Sequence, residues 1–306
     1  MNNRKPIVVV GSINLDLVTH AQHIPALGET IQGDRFQMNP GGKGANQAVA
    51  IARLGYPVQM IGKIGGDILG KQLWASLEGA GVGLRGVGKS EGPSGTAMIV
   101  VAPDGDNCIV VNPGANAEVS PKYVDLHRDI ICQAGLVLTQ LEIPIETVEH
   151  LSNLCCEQGI PLMLDPAPAQ VLSGQLLRCV RWFTPNETEA EFYAPGNKQN
   201  HPAIAARALL DRGPAGVILK MGARGAYLAA NGIEKQQPAI SVKAVDTTAA
   251  GDALNGAFAV GIMSGRAEVE SARFAVAAAS LSVTRAGAQS SMPTLAEVKN
   301  MLVGME

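Results

Sequence analysis

Along most of the chain, short and wholly apolar runs alternate with longer stretches whose apolar residues recur every three to four positions, the pattern of buried strands separated by amphipathic helices. The first run, 7–10, is Ile-Val-Val-Val and breaks at Gly11-Ser12, with the polar Asn14 and Asp16 just beyond it. Residues 16–36 alternate loosely and carry turn signals at Pro25 and Gly28, which predicts short strands. A helix is predicted over 44–54, stopped by Gly55, then a strand over 58–61 and a helix over 68–80 closed by Gly81. From Gly95 the period changes to two. The β-rich runs 96–101 and 108–112 flank the turn sequence Ala-Pro-Asp-Gly-Asp-Asn, a hairpin signal.

The alternation then resumes, with strands over 136–141, 161–165, 182–184 and 216–221 and helices over 145–158 and 202–212. A hairpin is expected at 226–230 with Gly232, and the chain finishes with helices over 252–263, 268–283 and 295–302. Strands separated by helices imply a mostly parallel sheet, so the expected architecture is one α/β domain over 1–306. It carries a discontinuous β lid at about 16–36 and 95–112. In such sheets ligands collect outside the carboxyl ends of the strands, where Asn14, Asp16, Glu142 and Asp165 fall.

Composition narrows the function classes. A chain of 306 residues that is 46% hydrophobic has ample core, which excludes disorder and a small disulfide scaffold. With a net charge of −3 and no basic cluster, nucleic acid is not the expected partner. No apolar run reaches the length of a bilayer span or of a signal segment, so the expected compartment is the cytoplasm. The five cysteines and five histidines show no CxxC or HExxH spacing, and no zinc site is expected.

The candidate chemistry lies near the C-terminus. In Asp246-Thr247-Thr248-Ala249-Ala250-Gly251-Asp252 a loop of small residues opens onto an apolar helix. Free backbone N–H groups and the helix dipole bind anions there, and small side chains let a phosphate approach the backbone. A carboxylate at Asp252 would repel that anion unless it handles a proton, which suits a general base that deprotonates an attacking hydroxyl. The alternative is an Asp N-cap on a core helix. Other phosphate motifs fit worse. A Walker loop needs Gly at 37, where Gln stands, and a dinucleotide fingerprint needs three spaced glycines after the first strand, where Gly11 stands alone.

The 246–252 segment with its continuation Ala253-Leu254-Asn255-Gly256-Ala257-Phe258 resembles the C-terminal signature of the ribokinase-like carbohydrate kinase family. Gly41-Gly42-Lys43-Gly44-Ala45-Asn46-Gln47-Ala48 resembles its N-terminal one, and the two occur in the family's order. The resemblance runs from the Gly-Ser-Ile-Asn-Leu-Asp of 11–16 to Gly287-Ala288-Gln289. It implies a three-layer fold with helices on both faces of the sheet, plus the lid. It also implies transfer of the γ-phosphoryl group of ATP to O5 of D-ribose, giving D-ribose 5-phosphate. Asp252 would be the catalytic base, and the N–H groups of Ala249, Ala250, Gly251 and Asp252 the anion hole.

By the same resemblance the sugar hydroxyls are bound by Asn14, Asp16, Gly42, Lys43, Asn46 and Glu142, a set suited to a polyol. Taken singly, Asn14 reads as a turn residue, Lys43 as a surface lysine and Asn46 as a helix-entry residue. Asn186 and Glu189 match an Asn-x-x-Glu element near the phosphates and a hydrated Mg²⁺, and they also read as a helix N-cap and its box partner. Lys220, Gly222, Gly225, Gly251 and Val276 match the nucleotide site. Lys220 stands where family members usually carry a small hydroxyl residue, and Val276 where a histidine can stack on adenine. Lys220 could add charge near the phosphates or point to solvent. A K⁺ activator is implied beside the anion hole at Asp246, Thr248, Ser282, Arg285, Gly287 and Ser291, several through backbone carbonyls alone.

Water must be kept from the reacting phosphate, a role for the lid. The lid's apolar residues Met98, Ile99, Val100, Val101, Ile109, Val110 and Val111 need covering, which suggests a homodimer with clasped lids, the alternative being a lid packed on its own domain. Other acceptors within the fold are deoxyribose, another furanose or ketose, or a nucleoside. Outside enzymes the alternative is a non-catalytic sugar-binding regulator.

Overall fold

Ile7–Val10 (β1) is apolar at every position because it is buried on both faces of the main sheet: Ile7 and Val9 enter one core, Val8 and Val10 the other. Residues 4–196 and 201–304 of the computed structural model are described, and the remainder of the predicted 1–306 domain lies outside them. The further strands are β2 (Asn14–Ala21), β3 (Gly33–Gly41), β4 (Val58–Gly65), β5 (Gly83–Ser90), β6 (Gly95–Val101) and β7 (Asn107–Asn112). Then follow β8 (Leu136–Thr139), β9 (Leu162–Leu164), β10 (Val180–Phe183), β11 (Gly216–Lys220), β12 (Ala226–Ala230) and β13 (Ile233–Gln237). The helices are α1 (Lys43–Arg53), α2 (Ile68–Gly79), α3 (Pro121–Leu126), α4 (Arg128–Cys132), α5 (Ile145–Glu157) and α6 (Gly174–Cys179). They continue with α7 (Glu187–Tyr193), α8 (Pro202–Leu210), α9 (Ala250–Met263), α10 (Glu268–Ser282) and α11 (Leu295–Val303).

Among the described residues, nine strands form the main sheet in the order β13-β12-β11-β10-β9-β8-β1-β4-β5. It is parallel from β5 to β11, and β11, β12 and β13 are antiparallel. One face buries α1, α2, α9, α10 and α11, and the other buries α3 to α8, which is the three-layer α/β architecture expected. Its helices are too short or too polar to cross a membrane, among the described residues.

The four-stranded second sheet, β3-β2-β6-β7, is built from the segments expected to form the lid. Its extent differs from expectation, because β3 runs on through Asn39, Pro40 and Gly41 to the threshold of α1 and β2 already starts at Asn14. Asn14 pairs with both Gly41 and Gly95, so the lid is rooted at the end of β1. Its apolar residues also divide differently. Met38, Leu17, Met98 and Val110 line up across all four strands on one face, whereas Ile99, Ile109 and Val111 belong to the other. Met98 and Val110 are each more than half exposed.

Strand β5 has no counterpart in the apolar pattern. Its glycines interrupt the pattern, yet each is demanded by packing: a Cβ on Gly86 would lie 2.6 Å from the Ile61 side chain, and one on Gly88 2.4 Å from the Tyr123 hydroxyl. Glycine governs the helix contact behind the site as well. A Cβ on Gly256 of α9 would stand 2.7 Å from that of Ala50 and 3.1 Å from the carbonyl oxygen of Gln47 on α1. Small residues therefore let α1 and α9 touch backbone to backbone. Gly256→Val should separate them and lower stability by about 1–3 kcal/mol, read as a shift in the urea midpoint at unchanged slope. An unchanged midpoint would mean that the contact carries no strain-free requirement for glycine.

Candidate active site

The loop ahead of α9 is built around one carboxylate. Asp246 Oδ1 accepts the Thr248 N–H at 2.9 Å and Oδ2 accepts the Gly287 N–H at 2.8 Å, and these bonds hold its proton affinity below the ordinary carboxylate range although burial opposes them. So pinned, the chain enters the helix through Ala249 in the left-handed region, φ 59°, a conformation that costs a non-glycine residue about 1 kcal/mol. No side chain caps the helix. The Ala250 N–H is taken by the Thr247 carbonyl at 3.2 Å, but those of Ala249, Gly251 and Asp252 have no hydrogen-bond partner among the described residues. Of the four N–H groups expected to form an anion hole, that of Ala250 is thus engaged in the turn that presents the other three.

Asp252 is not the N-cap that a bare sequence allows. It lies in the first turn, 5% exposed, with its carboxylate turned to α1. Asn46 Nδ2 donates to Oδ2 at 3.0 Å and Gln47 Nε2 to Oδ1 at 3.1 Å. Burial pushes its pKa up to about 6, Asp165 adds to the rise, and Lys43 with the two amides opposes it. A carboxylate of that strength is ionised at neutral pH and still able to take a proton. Gln47 also donates to Asp165 Oδ2 at 3.0 Å and accepts from Gln140 Nε2 at 2.7 Å, while Asp165 Oδ1 meets Lys220 Nζ at 2.7 Å.

The polar groups at the β1 end adjoin this cluster. Glu142 Oε2 accepts from Ser12 Oγ at 2.6 Å and from the Lys43 N–H at 3.1 Å, joining the end of β8 to the start of α1. Asn14 Oδ1 accepts from Asn116 Nδ2 at 2.6 Å. Gly42 turns the chain from lid to helix at φ 85°, and a Cβ there would lie 2.7 Å from the Asn14 nitrogen. The Asp16 carboxylate lies over Gly41, where a Cβ would be 2.2 Å from Oδ2. Burial first, then Glu142 and Asp252, raise Asp16 to about 7, with Lys43 opposing. For Lys43 burial disfavours the charge, but Asp252, Asp165, Glu142 and Glu189 outweigh it and keep the ammonium firmly protonated. Asn46 Oδ1 is buried with no hydrogen-bond partner among the described residues.

Beyond Asp252 opens a cleft of about 740 Å³. Its walls include Lys43, Asp165, Asn186, Glu189, Lys220, Gly222, Gly225 and the turn 249–252, with Val276 and Ala279 of α10 and Val283 just after it as an apolar side. Lys220 is turned inward, not to solvent, with its side chain 11% exposed. Asn186 and Glu189 form a full capping box at the start of α7, so the helix-entry reading of these residues holds. Burial raises the Glu189 pKa, Asp165 adds to the rise, and Lys220 opposes it. Gly222 and Gly225 have φ of 53° and 86°, and a Cβ on Gly225 would strike the Gln237 carbonyl oxygen. A smaller cavity of about 240 Å³ beside Asp67, Trp74 and Lys89 is lined by none of these residues.

Of the six positions expected to hold a monovalent cation, Asp246, Thr248 and Gly287 are bonded together as described. The other three side chains turn elsewhere: Ser282 Oγ to the Ala279 carbonyl, Ser291 Oγ to the Ala288 carbonyl and Arg285 to Glu297. Gln47, Gln140 and Asp165 are the site residues that sequence reasoning gave no role, although Gln47 lies inside a recognised motif and Asp165 at a strand end.

The sequence profile of the pfkB family carbohydrate kinases matches residues 4–295, and the chain belongs to that family, whose members are phosphotransferases with an alcohol group as acceptor. It is 42% identical to a ribokinase of Bacillus subtilis over 97% of this chain and 99% of that protein. It is 38% identical to a deoxyribokinase of Salmonella typhimurium over 97% of this chain and 98% of that protein. The solved structure of Arabidopsis thaliana ribokinase complexed with ribose and ATP superposes with a TM-score of 0.91 at 36% identity, covering 98% of this chain and 99% of that one.

The raised pKa of Asp16 carries a stability consequence. Below its ordinary value of 3.8 the group is protonated folded and unfolded alike, and its burial as an anion costs nothing. As pH rises the unfolded chain ionises first, so the cost grows from there and is complete above about 7. Asp16→Asn should therefore stabilise the protein at pH 8 by on the order of 2–4 kcal/mol and leave it unchanged at pH 3.5, measured by urea unfolding. The same gain at both pH values would count against an ionised, buried Asp16.

Proposed function

We propose that the chain is an ATP-dependent sugar kinase that phosphorylates D-ribose at O5, releasing ADP and D-ribose 5-phosphate. The observation that carries this reading is the Asp252 carboxylate, buried and held by two amides between unpaired helix-start N–H groups and a cluster of polyol-binding side-chain types. The ribokinase relatives and the ribose and ATP complex of the Arabidopsis protein support the acceptor and the donor. In the mechanism, Asp252 removes the proton of the 5-hydroxyl as its oxygen bonds to the γ-phosphorus. The bond from that phosphorus to the β,γ-bridging oxygen breaks, and its electron pair leaves with ADP. The N–H groups of Ala249, Gly251 and Asp252 receive the charge on the transferred group. Asn14, Asp16, Gly42, Lys43, Asn46 and Glu142 orient the sugar.

Lys220, Gly222, Gly225, Gly251 and Val276 line the nucleotide's side of the cleft in this reading. Asn186 and Glu189 lie in the same wall, and Glu189 is already bonded twice within its capping box, which suits an ion that keeps its waters. Mg²⁺ bound with the nucleotide shields phosphate charge. The ionised Asp246 and the backbone carbonyls of Thr248, Ser282, Arg285, Gly287 and Ser291 are hard oxygen donors that fit K⁺, and such an ion would stiffen the 246–252 loop. We place the enzyme in the cytoplasm, where ATP is supplied. The second acceptor considered is 2-deoxyribose, favoured by the Salmonella relative.

The test is ADP release from Mg-ATP in potassium buffer with D-ribose, 2-deoxyribose, fructose and a nucleoside at equal concentration. Strong release with D-ribose is expected, and release with deoxyribose alone would transfer the specificity to it. Asp252→Asn should lower kcat about 10²-fold or more, and kcat should fall as pH drops below about 6, where the base is protonated. Sodium in place of potassium should slow the reaction. A wild-type rate in Asp252→Asn would remove the mechanism.

The lid's exposed row of Met38, Met98 and Val110, ending on β7 whose six residues are all exposed, supports a homodimer in which two lids cover each other. Sedimentation should give a dimer, and Met98→Lys with Val110→Lys a monomer. A monomeric wild type at micromolar concentration would sink this assembly.

A further inference from the structure

The ion pair between Lys220 and Asp165 has no part in the mechanism above, where Lys220 only lines the cleft. Lys220 ends β11, where its N–H donates to the Pro185 carbonyl at 2.8 Å and its backbone pairs with Asn186, so its side chain leaves the strand end toward the first turn of α9. The ammonium stands 2.7 Å from Asp165 Oδ1, and a Cβ on Gly251 would lie only 3.5 Å from it. The same charge is therefore bonded to a carboxylate and adjacent to the amide assigned to the transferred phosphoryl group. Asp165 is 3% exposed and bonds through its other oxygen to Gln47 Nε2, which also bonds Asp252. Gln140 fixes the orientation of the Gln47 amide by donating to its oxygen. Ammonium, carboxylate, amide and base thus form one unbroken chain of contacts.

We propose that this chain is a nucleotide-operated switch on the base: the terminal phosphates of ATP draw the Lys220 ammonium away from Asp165, and the carboxylate left unpaired acts through Gln47 on Asp252. The proposal rests on the phosphotransfer reading given above. The exchange is favourable because a polyphosphate offers the ammonium more negative charge than one carboxylate, and the four-carbon stem of lysine lets it move between two nearby partners. The charged groups facing Asp252 are Lys43 from α1, Asp165 from the end of β9 and Asp16 from β2. Of these, Asp165 is the one bonded to a counter-ion that also borders the nucleotide cleft. An unpaired carboxylate there strengthens the attraction of Asp252 for a proton, so the base is at its strongest when the phosphoryl donor is in place. Lys220 touches the nucleotide in this scheme, and Asp165 and Gln47 are positioning residues.

The decisive variant is Asp165→Asn, whose amide oxygen can keep the Gln47 bond while the anion that competes for Lys220 is gone. ATP binding measured by calorimetry without sugar should tighten about 10-fold, the reverse of what loss of a merely structural contact would do. The acid limb of kcat should move to lower pH by half a unit or more, and kcat should fall. Lys220→Met should weaken ATP binding about 10-fold or more, with partial rescue by Lys220→Arg, and should leave the acid limb of kcat where saturating ATP puts it in the wild type. Weaker or unchanged ATP binding in Asp165→Asn, or wild-type ATP binding in Lys220→Met, would overturn the switch. Should Asp165→Asn fail to fold, the two Lys220 variants decide by the same calorimetry. Since that measurement needs no acceptor, the expected affinity changes beside an enzyme silent toward every sugar would uphold the ion-pair exchange and overturn the ribose reading alone.

Discussion

A carboxylate can remain in a water-poor interior only where donors replace its hydration, and the arrangement around Asp252 follows from that requirement. Its two donors, Asn46 and Gln47, both come from the first turns of α1. They reach it because α1 and α9 meet at Gly256, where a side chain would force the helices apart. Helix α1 is in turn aimed by Gly42, whose left-handed turn passes tight against the Asn14 backbone, and by Glu142, which ties the Lys43 N–H to the end of the parallel sheet. The setting of Asp252 is thus a consequence of how closely two helices can pack on β1.

The same requirement explains the charge balance of the site. Asp16, Glu189 and Asp252 are each held above the ordinary carboxylate range, chiefly by burial, and share their neighbourhood with the cation Lys43. Such a cluster is costly to keep ionised in the folded chain. In the phosphotransfer reading proposed above, such a cluster supplies buried acceptors for hydroxyl donors and a proton, so that stability would be exchanged for reactivity.

How legible this was in the sequence depended on whether a feature is local. The turn of 246–252 into α9 could be read directly, since small residues in succession ahead of an apolar stretch are a local signal. The parallel sheet was equally plain, because strands buried on both faces have no polar alternation to obscure them. Strand β5 was not legible: Gly86 and Gly88 look like breaks until Ile61 and Tyr123, distant in sequence, are seen to require them. Gln47 and Gln140 escaped for the same reason, and Asp165 could be placed at a strand end but not given its partners. Their side-chain types are unremarkable at surface positions and acquire meaning only when α1, β8 and β9 converge on Asp252. The strands of the second sheet reach past the approximate limits 16 and 36, because β2 and β3 are set by pairing with each other at Asn14 and Gly41, beyond the turn signals.

Lys43 joins the two halves of the site. It lines the cleft that also contains Lys220, Gly222 and the 249–252 turn, while its backbone N–H is bonded to Glu142 beyond the end of β8. Four carboxylates from four different elements, Asp252, Asp165, Glu142 and Glu189, converge on its ammonium. In the proposed reading, charge brought into the cleft by a polyphosphate would act on the same cation that offsets the acids around Glu142 and Asp252. Loading one half of the cleft must alter the proton affinities in the other, because in a low-dielectric interior a shared counter-ion cannot satisfy both sets of anions independently.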